Sequence, residues 1–324
     1  MVKLASAEMV EKKLATRAAF GATLAELAEE GMPVVAVDAD LTGSTTTKKF
    51  AAAAPENADK LFNCGIAEQN MIDVAAGLAL TGHVAYTGSF AVFGTGRAYD
   101  QIRNTVCYSN LDVKICPTHA GVSVGPDGGS HQMLEDVSLM RGLPNMRVLV
   151  PADYAAARAA IKLAAKTPGP VYVRMGRAAV PCVYDGDVEL ELGCAYVLRE
   201  GTDATVVACG VEIREALAAA DALAEEGISI EVIDAFSVKP LDEDTITASV
   251  AKTGCCVVAE EHSVHGGLGS AVAECLARKN PAPCEFVGVQ DRFGKSGEFE
   301  ELLGYFNLDA AAIVEAVKRA MGRK

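Results

Sequence analysis

The stretch Phe62-Asn63-Cys64-Gly65-Ile66-Ala67-Glu68-Gln69-Asn70 opens a segment that keeps helical character to about Leu80. After Glu68 and its two polar neighbours, the side chains are apolar on nearly every face, with Asp73 as the one charge, which is typical of a helix buried in a larger protein. Burying a carboxylate is costly unless a partner compensates its charge. Glu68 is therefore a candidate functional residue, although an acidic residue in a first turn can also simply complement the helix dipole.

The composition of the chain limits its function. It has 324 residues, enough for two domains, and 50% of them are hydrophobic, which predicts a globular protein. A net charge of -14 opposes binding to nucleic acid and to anionic membrane surfaces. Because no apolar run approaches the roughly 18 residues of a membrane span and the first residues do not resemble a signal peptide, we expect a cytoplasmic protein. Ten cysteines without framework or CxxC spacing predict reduced thiols.

Strand-like and helical segments alternate along the whole chain. A first series runs from the apolar strand Val34–Val37 to a strand over residues 170–174, and a second series follows from residue 204 to residue 321. This alternation predicts an α/β fold of two domains, each a mostly parallel sheet flanked by helices. The pattern lapses between about Pro181 and Gly193. The predicted boundaries are a first domain over residues 1–185, a linker over residues 186–193 and a second domain over residues 194–324.

Two groups of polar residues follow predicted strands. Asp40 and Ser44 come after the strand Val34–Val37, and α/β proteins bind ligands at this edge of their sheets, although turn and N-cap chemistry explains the two residues equally well. Residues 118–132 form a polar, glycine-containing segment with His119, Asp127 and His131. A long loop inside a compact domain is uncommon unless it binds something. The second segment is therefore a predicted binding loop.

Taken together, three motifs resemble the transketolase family of thiamine diphosphate enzymes, and in particular the C-terminal subunits of split transketolases. They are GIAEQN at residues 65–70, SFAVF at 89–93 followed by GRAYDQIRN at 96–104, and THAGVSVGPDGGSHQ at 118–132. The resemblance covers essentially the whole chain. It implies a pyrimidine-binding domain to about residue 185, followed by a transketolase C-terminal domain.

The resemblance also implies which residues bind the cofactor. Glu68 would hydrogen-bond N1′ of the aminopyrimidine, and the shared proton would activate the 4′-amino group that removes the C2 proton of the thiazolium ring. Phe90 and Phe93 would enclose the pyrimidine, with Phe93 stacking on it, although ordinary core packing is the alternative for both rings. Asp40 would lie near the thiazolium side of the cofactor.

Further residues are implied for the substrate. His131 and Asp127 match residues that contact the hydroxyl groups of the ketose donor beside the reacting carbon, so His131 is a second catalytic candidate. The far end of the sugar, including its phosphate, would be received by a polar cluster whose arginines can grip phosphate oxygens in pairs. The members of this cluster are Arg17, Ser44, His119 and Arg174. For Arg17, a solvated position on a charged helix face is the alternative.

One family motif has no counterpart in the chain. This is the Gly-Asp-Gly motif followed by an Asn that holds magnesium and the cofactor's diphosphate. Because a metal-bridged diphosphate carries most of the charge of this cofactor, we expect the Mg²⁺ ligands on a partner N-terminal subunit and none on this chain. The active site would then lie at a subunit interface, in a heterotetramer with two copies of each chain. The histidine-containing string Glu260–Gly269 could form a metal or phosphate loop, but its spacing does not favour this.

The expected function is that of the C-terminal subunit of a transketolase, which transfers a two-carbon ketol unit between sugar phosphates, as in the pentose phosphate pathway. One alternative is the β subunit of the first component of a 2-oxoacid dehydrogenase, which has the same two domains. The loop at 118–132 with His119 and Arg174 favours a sugar phosphate instead. A second alternative is a non-catalytic α/β subunit that scaffolds a partner, and the presence of Glu68 argues against it. The sequence does not identify the preferred sugars.

Overall fold

The fold is described from a computed structural model that covers residues 2–324. It contains two large sheets, one of seven strands and one of five. A separate antiparallel pair joins β1 (Lys13–Ala15) to β8 (Ala179–Pro181). Helices flank both large sheets, which confirms the predicted α/β fold of two mostly parallel sheets.

The strands of both sheets are short and mostly buried. Those of the first domain are β2 (Val34–Asp38), β3 (Leu61–Asn63), β4 (Val84–Gly88), β5 (Val113–Ile115), β6 (Arg147–Leu149) and β7 (Val171–Val173). Those that follow are β9 (Tyr196–Arg199), β10 (Ala204–Ala208), β11 (Ile230–Asp234), β12 (Ser237–Lys239), β13 (Cys256–Ser263) and β14 (Cys284–Val289). In the central strands β2, β4 and β10 every residue is buried, as expected for parallel strands covered on both faces.

The seven-stranded sheet has the order β12-β6-β7-β5-β4-β2-β3, and all its pairs are parallel except β12 with β6. The five-stranded sheet has the order β14-β13-β10-β11-β9, with β9 antiparallel at its edge. Strand β12 lies in the predicted second domain but extends the first sheet. The buried Phe236 leads into it, and the carbonyl of Phe236 accepts from Val150 N at 2.9 Å. The two domains therefore share a sheet edge that sequence alternation does not indicate.

Helices flank the sheets of both domains. In the first domain they are α1 (Ala7–Val10), α2 (Ala18–Glu29), α3 (Thr42–Thr45), α4 (Thr47–Ala53), α5 (Pro55–Ala58), α6 (Glu68–Leu80), α7 (Tyr99–Gln101), α8 (Asp136–Arg141) and α9 (Tyr154–Lys166). In the second they are α10 (Glu212–Glu225), α11 (Glu243–Thr253), α12 (Leu268–Lys279), α13 (Phe299–Phe306) and α14 (Ala310–Met321). Within residues 2–324, none of these helices combines the length and the apolar character that crossing a membrane requires.

The segment between β4 and β5 is not a single regular helix. Two π-helical turns, Val92–Arg97 and Ile102–Cys107, flank the short α7. A π turn carries an extra residue and is often found at a functional site. Here the first π turn begins two residues after Phe90 and contains both Phe93 and Arg97, the arginine that faces Glu68.

Helix α6 is only half buried, in contrast to the fully buried helix that its composition predicts. Its inner face packs Met71, Ile72, Ala75 and Ala76 against the sheet. On its outer side Leu80 is 74% exposed, and Ile66 just before the helix is 79% exposed. The apolar side chains that do not pack against the sheet therefore lie on the surface of the single chain.

Candidate active site

Apart from Arg174, the predicted site residues lie at or near the carboxyl edge of the seven-stranded sheet, the usual ligand-binding edge of an α/β fold. Asp40 follows β2 and is exposed, with a left-handed φ of 64°. Its N–H donates to Asn63 Oδ1 at 3.1 Å, and Asn63 Nδ2 donates back to Asp40 Oδ1 at 3.4 Å. This reciprocal contact connects the ends of β2 and β3, just before the chain turns into α6.

Glu68 is the first residue of α6 and is only 2% exposed. Its Oε2 accepts from Arg97 Nη1 at 2.8 Å, across 29 residues of sequence. The guanidinium carbon of Arg97 also lies 4.6 Å from the centroid of the Phe93 ring. Sequence reasoning missed Arg97, because nothing in its local pattern indicates that it faces Glu68.

Four rings form an aromatic cluster beside this pair. Phe90 and Phe93 are stacked at 6.2 Å and 17°, and Phe90 stacks on His119 at 3.7 Å and 24°. His131 meets Phe93 edge-on at 5.4 Å. Phe90 is buried whereas Phe93 is half-buried, so Phe93 is the more accessible of the two phenyl rings. The structure thus brings the predicted aromatic residues and both loop histidines together.

His119 is held in an uncommon conformation. Its φ is 62°, and its Nδ1 lies 2.7 Å from Thr118 Oγ1. Burial lowers the pKa of His119 to about 3, and the positive charges of Arg17 and Arg177 act in the same direction. His119 is therefore neutral at physiological pH and can serve a ligand as a hydrogen-bonding group rather than as a charge.

Arg17 lies close to Ser44, as predicted, through Arg17 Nη1 and the carbonyl of Ser44 at 2.8 Å. Its Nε donates to the carbonyl of Arg177 at 3.3 Å. Burial lowers the pKa of Arg17, the neighbouring charge of Arg177 lowers it further, and Asp127 opposes both. Two guanidinium groups are thus concentrated near His119 and the exposed Asp127. Arg177 is a candidate site residue that sequence reasoning missed.

The prediction for Arg174 needs correction, because the structure does not bring its side chain into this cluster. Arg174 is buried, and its Nε donates to Asp136 Oδ2 at 2.8 Å. Its Nη2 donates to the carbonyl of Glu261 at 2.8 Å, and Tyr172 Oη donates to Asp136 Oδ2 at 2.5 Å. Burial alone would raise the pKa of Asp136, but the charges of Arg174 and His262 outweigh it and hold that pKa below its usual range. The guanidinium is thus engaged by buried acceptors and is not free for a phosphate.

The second domain supports the predicted binding loop. Gln132 Nε2 donates to the carbonyl of Val122 at 3.0 Å and to that of Lys295 at 2.9 Å, and Glu261 accepts from the N–H of Ser123. At Gly128, where φ is 75°, a Cβ would lie 2.3 Å from Ser296 Oγ, so a side chain there would strain the backbone and clash. The loop that carries Asp127 and His131 is therefore fixed by both domains.

The string Glu260–Gly269 has a structural role. The carboxylate of Glu260 accepts from Leu268 N at 2.7 Å and from Gly269 N at 2.8 Å, which satisfies free N–H groups at the start of α12. Within the described range 2–324, no group of three or more His, Cys, Asp or Glu residues is arranged to hold a metal ion.

Two family models match the chain: the transketolase pyrimidine-binding domain over residues 12–183 and the transketolase C-terminal domain over residues 193–313. The chain belongs to the transketolase family. The aromatic cluster and Glu68 lie in the region matched by the pyrimidine-binding domain.

Similar transketolase proteins match along nearly their whole length. A protein of Methanocaldococcus jannaschii named for the C-terminal section of transketolase is 44% identical over 95% of this chain and 96% of its own. The 6-deoxy-6-sulfo-D-fructose transketolase subunit SqwH of a Clostridium species is 42% identical over 93% of this chain and 92% of its own. A solved structure titled split gene transketolase, inactive beta4 tetramer, is 48% identical, with a TM-score of 0.87 over 96% of this chain and 99% of that chain. The chain is thus a C-terminal subunit of the split transketolase type.

Proposed function

We propose that this chain is the catalytic C-terminal subunit of a thiamine diphosphate-dependent transketolase that transfers a two-carbon ketol unit between sugar phosphates. The observation that supports this best is the buried carboxylate of Glu68, which lies in the same site as the half-buried ring of Phe93 and the loop histidine His131. A scaffold subunit has no use for a buried acid beside a polar, aromatic-lined site.

The residues present fit the aminopyrimidine half of the cofactor. A ring nitrogen that shares a proton needs a carboxyl group shielded from water, and Glu68 is that group. A flat ring needs an aromatic face, and Phe93 provides one on which the planar guanidinium of Arg97 already stacks. When bound, the cofactor would supply the nucleophilic carbon and the electron sink for ketol transfer.

This chain's own residues would bind, orient and exchange protons around that cofactor. Glu68 would hold the proton that it shares with the pyrimidine, in a position from which water is largely excluded. His131, edge-on to Phe93, would contact the donor hydroxyl groups together with Asp127 from the same loop. Asp40, exposed at the end of β2, would face the thiazolium side of the cofactor. The loop's attachment to the second domain through Gln132 would keep these groups oriented.

The distal end of the substrate would be held by the cluster of Arg17, Arg177, Ser44 and His119. Two guanidinium groups with one neutral imidazole can donate several hydrogen bonds to a tetrahedral oxyanion. A phosphate fits this donor set. So does a sulfonate, and the Clostridium relative is named for a sulfo-sugar. We therefore propose a sugar with an anionic end group, with sugar phosphates as the first substrates to test.

Because the sequence lacks the family's Gly-Asp-Gly motif followed by an Asn, the diphosphate and Mg²⁺ would be held by another chain. The exposed apolar residues on and beside α6 are Phe62, Ile66, Leu80 and Tyr108, and they offer a surface for a partner. A related split transketolase is titled as inactive when it is a β4 tetramer. We propose that an N-terminal subunit supplies the metal site, in an assembly of two copies of each chain.

The proposed function is tested by reconstitution. The purified chain alone should show no ketol transfer from a ketose phosphate to an aldose phosphate. Activity should appear on adding a transketolase N-terminal subunit with thiamine diphosphate and Mg²⁺. Robust activity of the chain alone would contradict the split site. A stable complex without any activity on phosphorylated or sulfonated sugars would favour the scaffold alternative.

Replacing the two arginines of the cluster should affect substrate binding more than the chemical step. In the reconstituted enzyme, Arg17→Ala and Arg177→Ala should each raise the KM for the phosphorylated substrate about 10-fold to 100-fold, because a charge-assisted hydrogen bond to phosphate contributes about 1.5–3 kcal/mol. Arg103→Ala is a matched control, since Arg103 contacts only the side chain of Asn104 on the surface. Unchanged KM values for both cluster variants would exclude these residues from the phosphate site.

A further inference from the structure

Arg97 makes, within the chain itself, both contacts that the proposed function assigns to the pyrimidine. Its Nη1 donates to Glu68 Oε2 at 2.8 Å, as a ring N–H would. Its guanidinium carbon is 4.6 Å from the centroid of Phe93, as expected for a flat group stacked on that ring. The guanidinium is also planar and carries adjacent N–H donors, so it resembles a protonated aminopyrimidine in shape and in hydrogen bonding.

The burial of the Glu68 carboxylate explains this arrangement. Glu68 is almost fully buried, and an ionised carboxylate in that position needs a positive partner. The side chain of Arg97 is the positive group that pairs with it. A chain without Arg97 would bury this carboxylate without a positive partner.

The local structure lets Arg97 leave. Its side chain is 49% exposed, so the guanidinium can turn into water without crossing packed core. It ends a π-helical turn that contains Gly94 and Gly96, neither of which adds a side chain near it. The backbone carbonyl of Arg97 accepts from Gln69 Nε2 on the surface at 3.4 Å. This contact does not hold the guanidinium in place.

We propose that Arg97 is an internal competitor for the cofactor: it contacts Glu68 and Phe93 itself, and it must be displaced before the pyrimidine can bind. This inference rests on the proposed function. When part of the population has the site filled by Arg97, the apparent dissociation constant of the cofactor equals the intrinsic constant divided by the fraction of subunits from which Arg97 has left. Arg97 therefore sets the cofactor affinity, and it favours a ligand that replaces both of its contacts over one that replaces a single contact.

The test measures binding and not turnover. The full chain is assembled with a transketolase N-terminal subunit and Mg²⁺, and the dissociation constant of thiamine diphosphate is measured by equilibrium dialysis. Arg97→Ala should bind the cofactor about threefold to tenfold more tightly than the wild type. Arg97→Lys should fall between the two, because its ammonium can pair with Glu68 but cannot stack as a plane. Arg103→Ala, an exposed arginine of the same segment, should bind like the wild type.

Glu68→Gln separates this inference from the proposed function. It should weaken cofactor binding, because the shared proton is lost. If Arg97→Ala binds the cofactor no more tightly than the wild type while Glu68→Gln binds it more weakly, the competitor role is overturned and the proposed function stands. Identical binding by the wild type and Glu68→Gln, or none by the wild type, would overturn both. Circular dichroism of each variant checks folding, and Arg97→Gln replaces Arg97→Ala if the latter does not fold, with the same expected direction.

Discussion

Glu68→Ala is expected to lower the kcat of the reconstituted enzyme by about 100-fold to 10,000-fold, the range typical of a lost general acid-base group. The proposed role of Glu68 is to share a proton with the pyrimidine, and alanine cannot do this. The free energy of unfolding should change little, because the remaining partner, Arg97, is half-exposed and can be solvated by water. Steady-state kinetics at saturating cofactor and circular dichroism of the variant measure the two effects.

The matched control is Asp73→Asn, which removes an exposed carboxylate from the same helix α6. This variant should keep the wild-type kcat, since Asp73 does not face the site. A Glu68→Ala enzyme with a near-normal kcat at saturating cofactor would remove Glu68 from its proposed role. A variant that fails to fold is replaced by Glu68→Gln, which keeps the side-chain volume.

Asp136→Ala is expected to lower the free energy of unfolding by about 3–5 kcal/mol, the usual cost of removing one partner of a buried ion pair. Without Asp136, the buried guanidinium of Arg174 loses its closest carboxylate, and the hydroxyl of Tyr172 loses its acceptor. The pair also joins the sheet of the first domain to Glu261 on β13 of the second. Urea denaturation followed by circular dichroism measures the loss.

Asp187→Ala is the control for this prediction. Asp187 pairs with Arg158 at the surface, where an ion pair contributes about 0–1 kcal/mol. A loss for Asp136→Ala no larger than that for Asp187→Ala would mean that the buried pair does not stabilise the fold. It would also reopen the possibility that Arg174 turns towards a substrate.

Much of the fold and part of the site follow from local sequence patterns. Alternating strands and helices predict two mostly parallel sheets, because each strand is an apolar run and each helix has a buried face. The helical segment α6 follows from the mostly apolar run that begins at Met71, directly after the polar residues Glu68, Gln69 and Asn70. The gathering of Phe90, Phe93, His119 and His131 follows from the family motifs, since all four follow strands that end at one sheet edge.

The remaining features depend on contacts between distant residues. Arg174 and Arg177 both follow β7, and only the positions of Asp136 and Glu261, 38 and 87 residues from Arg174, decide which of the two points inward. Arg97 reaches Glu68 because of a π turn that local periodicity does not indicate. Strand β12 joins the first sheet through a pairing with β6 that lies far away in sequence. Sequence patterns report local conformation and burial, and they do not report these pairings.

The most direct test of the central claim is the exchange of the cofactor's C2 proton for deuterium, followed by proton NMR after mixing with D₂O. The claim is that Glu68 of this chain activates a cofactor whose diphosphate is held by another subunit. It predicts rapid exchange in the assembly with a transketolase N-terminal subunit and Mg²⁺, and exchange no faster than in free solution for either chain alone or for the assembly with Glu68→Gln. Equally rapid exchange in the Glu68→Gln assembly, or rapid exchange with this chain alone, would contradict the claim.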